Sequence, residues 1–112
     1  INAIQDPKLL SEIVEKGVVL EVCPGSNVVL GAVKDWASHP IQKLRDAGVA
    51  VTVSTDDPPL FHTTMTYEFE MLATTFGWDV KDFAEDNQTA LKAAYCDEAT
   101  RAKIAKLLEP AR

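Results

Sequence analysis

Gly48-Val49-Ala50-Val51-Thr52-Val53-Ser54-Thr55-Asp56-Asp57-Pro58-Pro59 is the stretch whose reading decides the fold. Residues 49–54 are rich in β-branched side chains and lie between a glycine and paired prolines, the pattern of a strand. Proline has no amide to give to a ladder, so the strand ends before Pro58. Its near-continuous apolar character suits a parallel strand covered on both faces. Just upstream, Pro40 opens a helix, capped by Ser38 or His39, that turns Ile41 and Leu44 inward and stops at Gly48.

The same rhythm occurs once before. Asp6 can cap orphan amides and Pro7 suits a first helical position. Leu9, Leu10, Ile13 and Val14 then share a face, Gly17 stops the helix, and residues 18–22 form a short apolar run before Pro24-Gly25. Helix, glycine, strand, twice over, is the α/β rhythm of a parallel sheet. It predicts that residues 18–22 and 49–54 are adjacent parallel strands with Ser26, Asp56 and Asp57 at their carboxyl edge. Residues 23–38 between them read as a long connection with Pro24, Gly25, Ser26 and Asn27 as turn formers.

Downstream the pattern is helical. Thr63 or Thr64 starts a helix with Met65, Phe69, Leu72 and Phe76 inward, stopped at Gly77. Asp79 caps a second with Val80 and Phe83 as its apolar face; residues 87–95 form a third around Ala90, Leu91 and Ala94. Asp97 caps the last, with Ile104, Leu107 and Leu108 as its stripe. Two strands make a marginal sheet, and parallel strands nearly always belong to larger ones. The expectation is that residues 1–112 are a single segment at the end of a bigger α/β structure and not a complete domain. The opening Ile1-Asn2-Ala3, without Met, points the same way.

The 112 residues carry 17 acidic against 11 Lys and Arg side chains, a formal charge of −6, with 46% hydrophobic and 25% charged residues. This is a globular composition. An acidic chain without a basic stripe is a poor partner for nucleic acid or an anionic membrane, and no apolar run approaches the ~18 residues of a spanning helix. Cys23 and Cys96 cannot form a disulfide framework; as small buried residues they suit a reducing, cytoplasmic setting.

Few residues could carry chemistry. Asp56 and Asp57 end an apolar parallel strand, where α/β folds bind ligands and metals. Neighbours on a strand point to opposite sides, so both face one way only if the chain is already turning. A turn in which Asp57 bonds its own backbone is an equally simple account. Ser26 and Asn27 could bond a ligand and Gly25 permits close approach, or all three are turn formers. His39 reads as a cap residue and His62 as a solvated loop histidine; neither lies in a metal-binding motif. Glu68 and Glu70 read as a solvated helix face over a buried Met71, and Lys81, Asp82, Glu85 and Asp86 as an exposed one.

Taken together, Leu20-Glu21-Val22-Cys23-Pro24-Gly25-Ser26-Asn27, Ser38-His39-Pro40-Ile41, Asp46-Ala47-Gly48-Val49 and Val51-Thr52-Val53-Ser54-Thr55-Asp56-Asp57-Pro58, with Phe61 and Tyr67-Glu68 beyond, resemble the C-terminal part of the adenosine deaminase family. The resemblance implies the C-terminal portion of a (β/α)₈ TIM-type barrel, with residues 18–22 as its seventh strand and 49–54 as its eighth. It implies that Asp56 is a ligand of a catalytic zinc and orients the metal-bound water, and that Asp57 binds the purine through a ring nitrogen. Ser26 is then a supporting residue behind them. The implied chemistry is zinc-dependent hydrolytic deamination of adenosine to inosine and ammonia; adenine or another purine-bearing substrate is the alternative. The family's histidine ligands and its ring-protonating glutamate have no counterpart in this sequence, so the 112 residues alone are expected to be inactive.

Two partners are then expected besides a purine nucleoside: the missing N-terminal part of the barrel, or a second copy through exposed strand edges. A non-catalytic α/β interaction module is the rival reading. A magnesium-dependent phosphoryl site on the paired aspartates is weaker, because no phosphate-cradling glycine loop or partner lysine is present.

Overall fold

β1 (Val19–Val22) and β2 (Ala50–Val53) lie side by side and parallel, with Val19 opposite Ala50 and Val22 opposite Val53. The structure, a computed structural model, describes residues 1–109. Both expected strands are present, shortened by one residue at the start and, in β2, by one at the end.

Alternation sends Leu20, Val22, Val51 and Val53 to one face. There they join Ile41 and Leu44 of α3 (Ile41–Asp46), Leu72 of α5 (Met65–Phe76) and Trp78 in one buried cluster. Leu10 and Ile13 of α1 (Pro7–Glu15) pack against it. The opposite face carries Val19, Glu21, Thr52 and Ser54, which line a cleft of about 600 Å³ with Ala90, Ala93, Ala94 and Tyr95.

The capping signals form as read. Asp6 accepts from the amides of Lys8 and Leu9, Thr64 from Tyr67, Asp97 from Thr100, and Asp79 and Asp82 form a reciprocal capping box. Gly77 ends α5 at φ 73°, a left-handed stop that costs glycine little. Such caps each contribute about 1 kcal/mol.

Four expectations need correction. Residues 23–38 are not a plain connection: Pro24 presets a helical φ, and α2 (Pro24–Val29) starts at once, with the Asn27 amide donating to the Cys23 carbonyl at 2.9 Å. The two helices expected across residues 79–95 are one, α6 (Val80–Ala93), because no Gly or Pro interrupts it. After it comes α7 (Glu98–Leu107), whose Arg101 donates to the carbonyls of Leu91 and Ala94 at the end of α6. Cys23 and Cys96 are half-buried rather than buried.

The fourth correction concerns the sheet edge. The Ser54 amide donates to Val22 across the ladder at 2.8 Å, so the Val53 amide points outward. It is not left open. Asp86 of α6 accepts from it through Oδ1 at 2.9 Å and is only 6% exposed, not part of a solvated face. Burial pushes the Asp86 carboxyl up to about 6, against the opposing pull of the Val53 amide and Arg45. A helix laid over a sheet edge with an acceptor on its amide blunts that edge against pairing.

Candidate functional site

The carboxyl ends of β1 and β2 bring two turns together. In the first, β1 runs through Cys23 into α2, and Ser26 lies in its opening turn, 1% exposed. In the second, Asp56 takes a left-handed backbone at φ 60°. Asp tolerates this conformation better than most residues because its short side chain bonds locally. The Ser26 hydroxyl donates to Asp56 Oδ2 at 2.9 Å. Of the residues the sequence pointed to, Ser26 and Asp56 are in direct contact.

Asp57 goes elsewhere. It sits in extended backbone at φ −109°, ψ 92°, as the residue before α4 (Pro58–Phe61), and it is exposed. Its side chain caps nothing, so the simple Asx-turn account does not hold. His62 closes α4 in a left-handed conformation at φ 50° and is exposed, a solvated loop histidine as expected.

The reading of Glu68 as solvated is overturned. Glu68 is fully buried, in the first turn of α5. Its Oε2 accepts from the Gly25 amide at 3.0 Å and its Oε1 from the Thr63 hydroxyl at 2.9 Å. Burial raises its pKa, and those two hydrogen bonds oppose the rise. A signal existed: residues 65, 68, 69, 72 and 76 fall on one helical face, so Glu68 interrupts the inward stripe itself. Gly25 is matched to it, since a Cβ there would lie 2.3 Å from Glu68 Oε1.

His39 secures the other side of the turn. It is 2% exposed, and its Nδ1 accepts from the Ile41 amide at 3.1 Å. That contact makes Nδ1 the bare nitrogen, so Nε2–H donates to Asn27 Oδ1 at 3.0 Å. The cap role read from sequence is correct, and Asn27 spends its oxygen on His39 rather than on a ligand. Burial drives the His39 pKa down to about 4, so the ring is neutral at pH 7.

Among the described residues no group of three or more His, Cys, Asp or Glu side chains could hold a metal ion. Zinc takes at least three protein ligands. This edge offers Asp56, with a serine hydroxyl behind it. The residues present do not fit zinc by themselves; Asp56 fits as a single contributed ligand.

Comparison with known proteins gives a consistent result. The adenosine deaminase family model matches residues 1–110. An adenine deaminase of Rhizobium rhizogenes is 49% identical over 104 residues, covering 93% of this chain and 32% of the relative. One from Agrobacterium fabrum is 47% identical over 104 residues, with the same 93% and 32% coverage. The chain spans about a third of the length of the curated relatives it matches. Among solved structures, an adenine deaminase from Arthrobacter aurescens superposes with TM-score 0.91 at 29% identity, over 96% of this chain and 33% of that one. An amidohydrolase from Burkholderia ambifaria with bound Zn gives TM-score 0.81 at 25% identity, over 96% of this chain and 30% of that one.

Proposed function

The chain belongs to the adenosine deaminase family, and on that premise we propose that it supplies the C-terminal part of the barrel of a metal-dependent hydrolytic deaminase acting on adenine. Its fold, two parallel strands with α1, α3 and α5 against one face and α6 over the β2 edge, is part of a (β/α)₈ barrel. In the proposed reaction water adds to C6 of the purine, the bond from C6 to the exocyclic nitrogen breaks, and hypoxanthine and ammonia leave. The observation that carries this reading is the contact of Ser26 with Asp56 at the shared carboxyl edge, where barrel enzymes do their chemistry.

The residues of this chain take distinct roles. Asp56 is donated as one metal ligand, its Oδ2 held by Ser26 so that the carboxylate keeps one orientation. Asp57, exposed and unbound by its own helix, is free to meet a ring nitrogen of the base through a shared proton. A metal held by Asp56 together with ligands from the rest of the barrel would make water a nucleophile near neutral pH. The relatives named adenine deaminases favour adenine over the adenosine that the family resemblance alone suggested.

The test is kinetic. The complete protein, loaded with zinc, is offered adenine and adenosine, and deamination is followed by absorbance. Higher kcat/KM on adenine supports the proposal. Preference for adenosine overturns the substrate, and no turnover of either overturns the activity. The isolated 112 residues, with one ligand carboxylate, are expected to give no turnover above a zinc-only blank.

A further inference from the structure

We infer that Glu68 is a positioning residue for this reaction, acting through the Gly25–Ser26 turn on Asp56; the inference rests on the function proposed above. The path is continuous and short. The Thr63 hydroxyl holds Glu68 Oε1 at 2.9 Å, and Glu68 Oε2 holds the Gly25 amide at 3.0 Å. The next residue, Ser26, holds Asp56 Oδ2 at 2.9 Å. Glu68, Thr63, Gly25 and Ser26 are all buried. Thr63 closes the loop that carries Asp56 and Asp57, with its amide on the Pro58 carbonyl at 3.2 Å. Glu68 therefore ties the turn after β1 to the loop after β2, the two segments that meet at the site.

Two observations separate this from ordinary packing. A fully buried carboxylate is costly, and among the described residues Glu68 makes no ion pair that would offset its burial. An apolar side chain on the inward stripe of α5 would cost less, and breaches of this kind concentrate at functional positions. Gly25, moreover, is in close contact with the carboxylate: a methyl group there would lie 2.3 Å from Oε1 and would displace it. His39 pins Asn27 on the far side at 3.0 Å, so both sequence neighbours of Ser26 are held and its hydroxyl has one place to point. Supporting contacts of this kind around a ligating carboxylate orient it.

The experiment uses the complete, zinc-loaded protein with adenine as substrate, and compares Glu68→Leu, Glu68→Gln, Gly25→Ala and the double variant Gly25→Ala/Glu68→Leu. Leucine keeps the volume and loses both bonds. We expect kcat to fall about 10–100-fold, the range for supporting residues, with KM for adenine unchanged. Glutamine keeps an oxygen for Gly25 and offers an amide hydrogen to Thr63, so it recovers most of kcat. Gly25→Ala alone should lose as much as Glu68→Leu, and the double variant should lose less than the product of the two single losses, because both variants break the same contact. A purely structural role predicts lower thermal stability with wild-type kcat per folded molecule; that result for Glu68→Leu overturns the inference. Should Glu68→Leu not fold, wild-type kcat in Gly25→Ala, or failure of Glu68→Gln to exceed it, overturns it instead. A wild-type protein inactive on adenine indicts the parent proposal, and this inference falls with it.

Discussion

The turns after β1 and β2 end at the same sheet edge and are built in opposite ways. The first, Gly25-Ser26-Asn27, carries no ionisable group, yet buried Glu68 and His39 grip it from both sides. The second, Asp56-Asp57, carries the carboxylates, is exposed, and is held at its side chains by the single bond from Ser26. The carboxylates stay near water, and rigidity comes from the uncharged turn beside them. Order at the Asp56 carboxylate is thus borrowed from its neighbour.

That contrast can be broken at its most exposed point first. In the complete enzyme Asp56→Ala should lower zinc content and reduce kcat by more than the ~10–100-fold typical of supporting residues. Metal analysis beside steady-state kinetics checks it; full zinc with full activity would remove Asp56 from the site. Asp57→Ala should keep zinc and lower kcat/KM by roughly 1–3 kcal/mol, the scale of one hydrogen bond to a buried partner. Loss of metal in this variant would mean that the two roles are exchanged.

Ser26→Ala tests whether order is borrowed at all. It removes the bond to Asp56 Oδ2 and leaves the grip of Glu68 and His39 intact. A drop in kcat near the lower end of that ~10–100-fold range is expected, with metal retained. Unchanged kcat would show that Asp56 orients itself.

The smallest effects concern stability, where the buried groups oppose each other. Asp86 has a folded pKa of about 6, above its ordinary 3.8. Between those values the folded protein holds a proton the unfolded chain has released. The stability from Asp86 is therefore full below about pH 4 and is lost as pH rises through about 6. His39 has the reverse sign. Its folded pKa of about 4 lies below 6.5, so its contribution is full above pH 6.5 and is lost on acidification toward 4. Asp86→Asn keeps the acceptor for Val53 without the charge. It should stabilise the fold at pH 8 by about 3 kcal/mol at most, read as a higher melting temperature, and have no effect at pH 4. It should also leave the His39 loss unopposed, so that the variant declines faster than wild type from pH 6.5 to 4. A pH-independent difference between the two proteins would refute the Asp86 assignment, and no added loss below pH 6.5 in the Asp86→Asn background would refute that of His39.

Much of the architecture was legible because its signals are local. A cap needs its acceptor within three residues of its donor, and Asp6, Thr64, Asp79 and Asp97 each satisfy that rule. The strands announce themselves by β-branched runs after a glycine stop. The two failures in element reading were also local. Pro24 reads as a turn former although proline also starts helices, and residues 87–95 read as a separate helix although α6 runs uninterrupted. The candidate site was half legible: Asp56 and Ser26 could be named from their strand ends, whereas Glu68, like Asp86 at the sheet edge, reads from sequence as a solvated charge on a helix.

The sequence by itself determined the alternation of helix and strand, the parallel order, the capped helix ends and the pair of aspartates at the strand terminus. Tertiary structure alone decided which polar side chains are buried and what they hold. Glu68 meets Gly25 across 43 residues, Asp86 meets Val53 across 33, and Ser26 meets Asp56 across 30. Periodicity reports the face on which a side chain stands. It carries no information about what stands opposite, and for a carboxylate the opposite group decides whether it is a surface charge or a buried clamp.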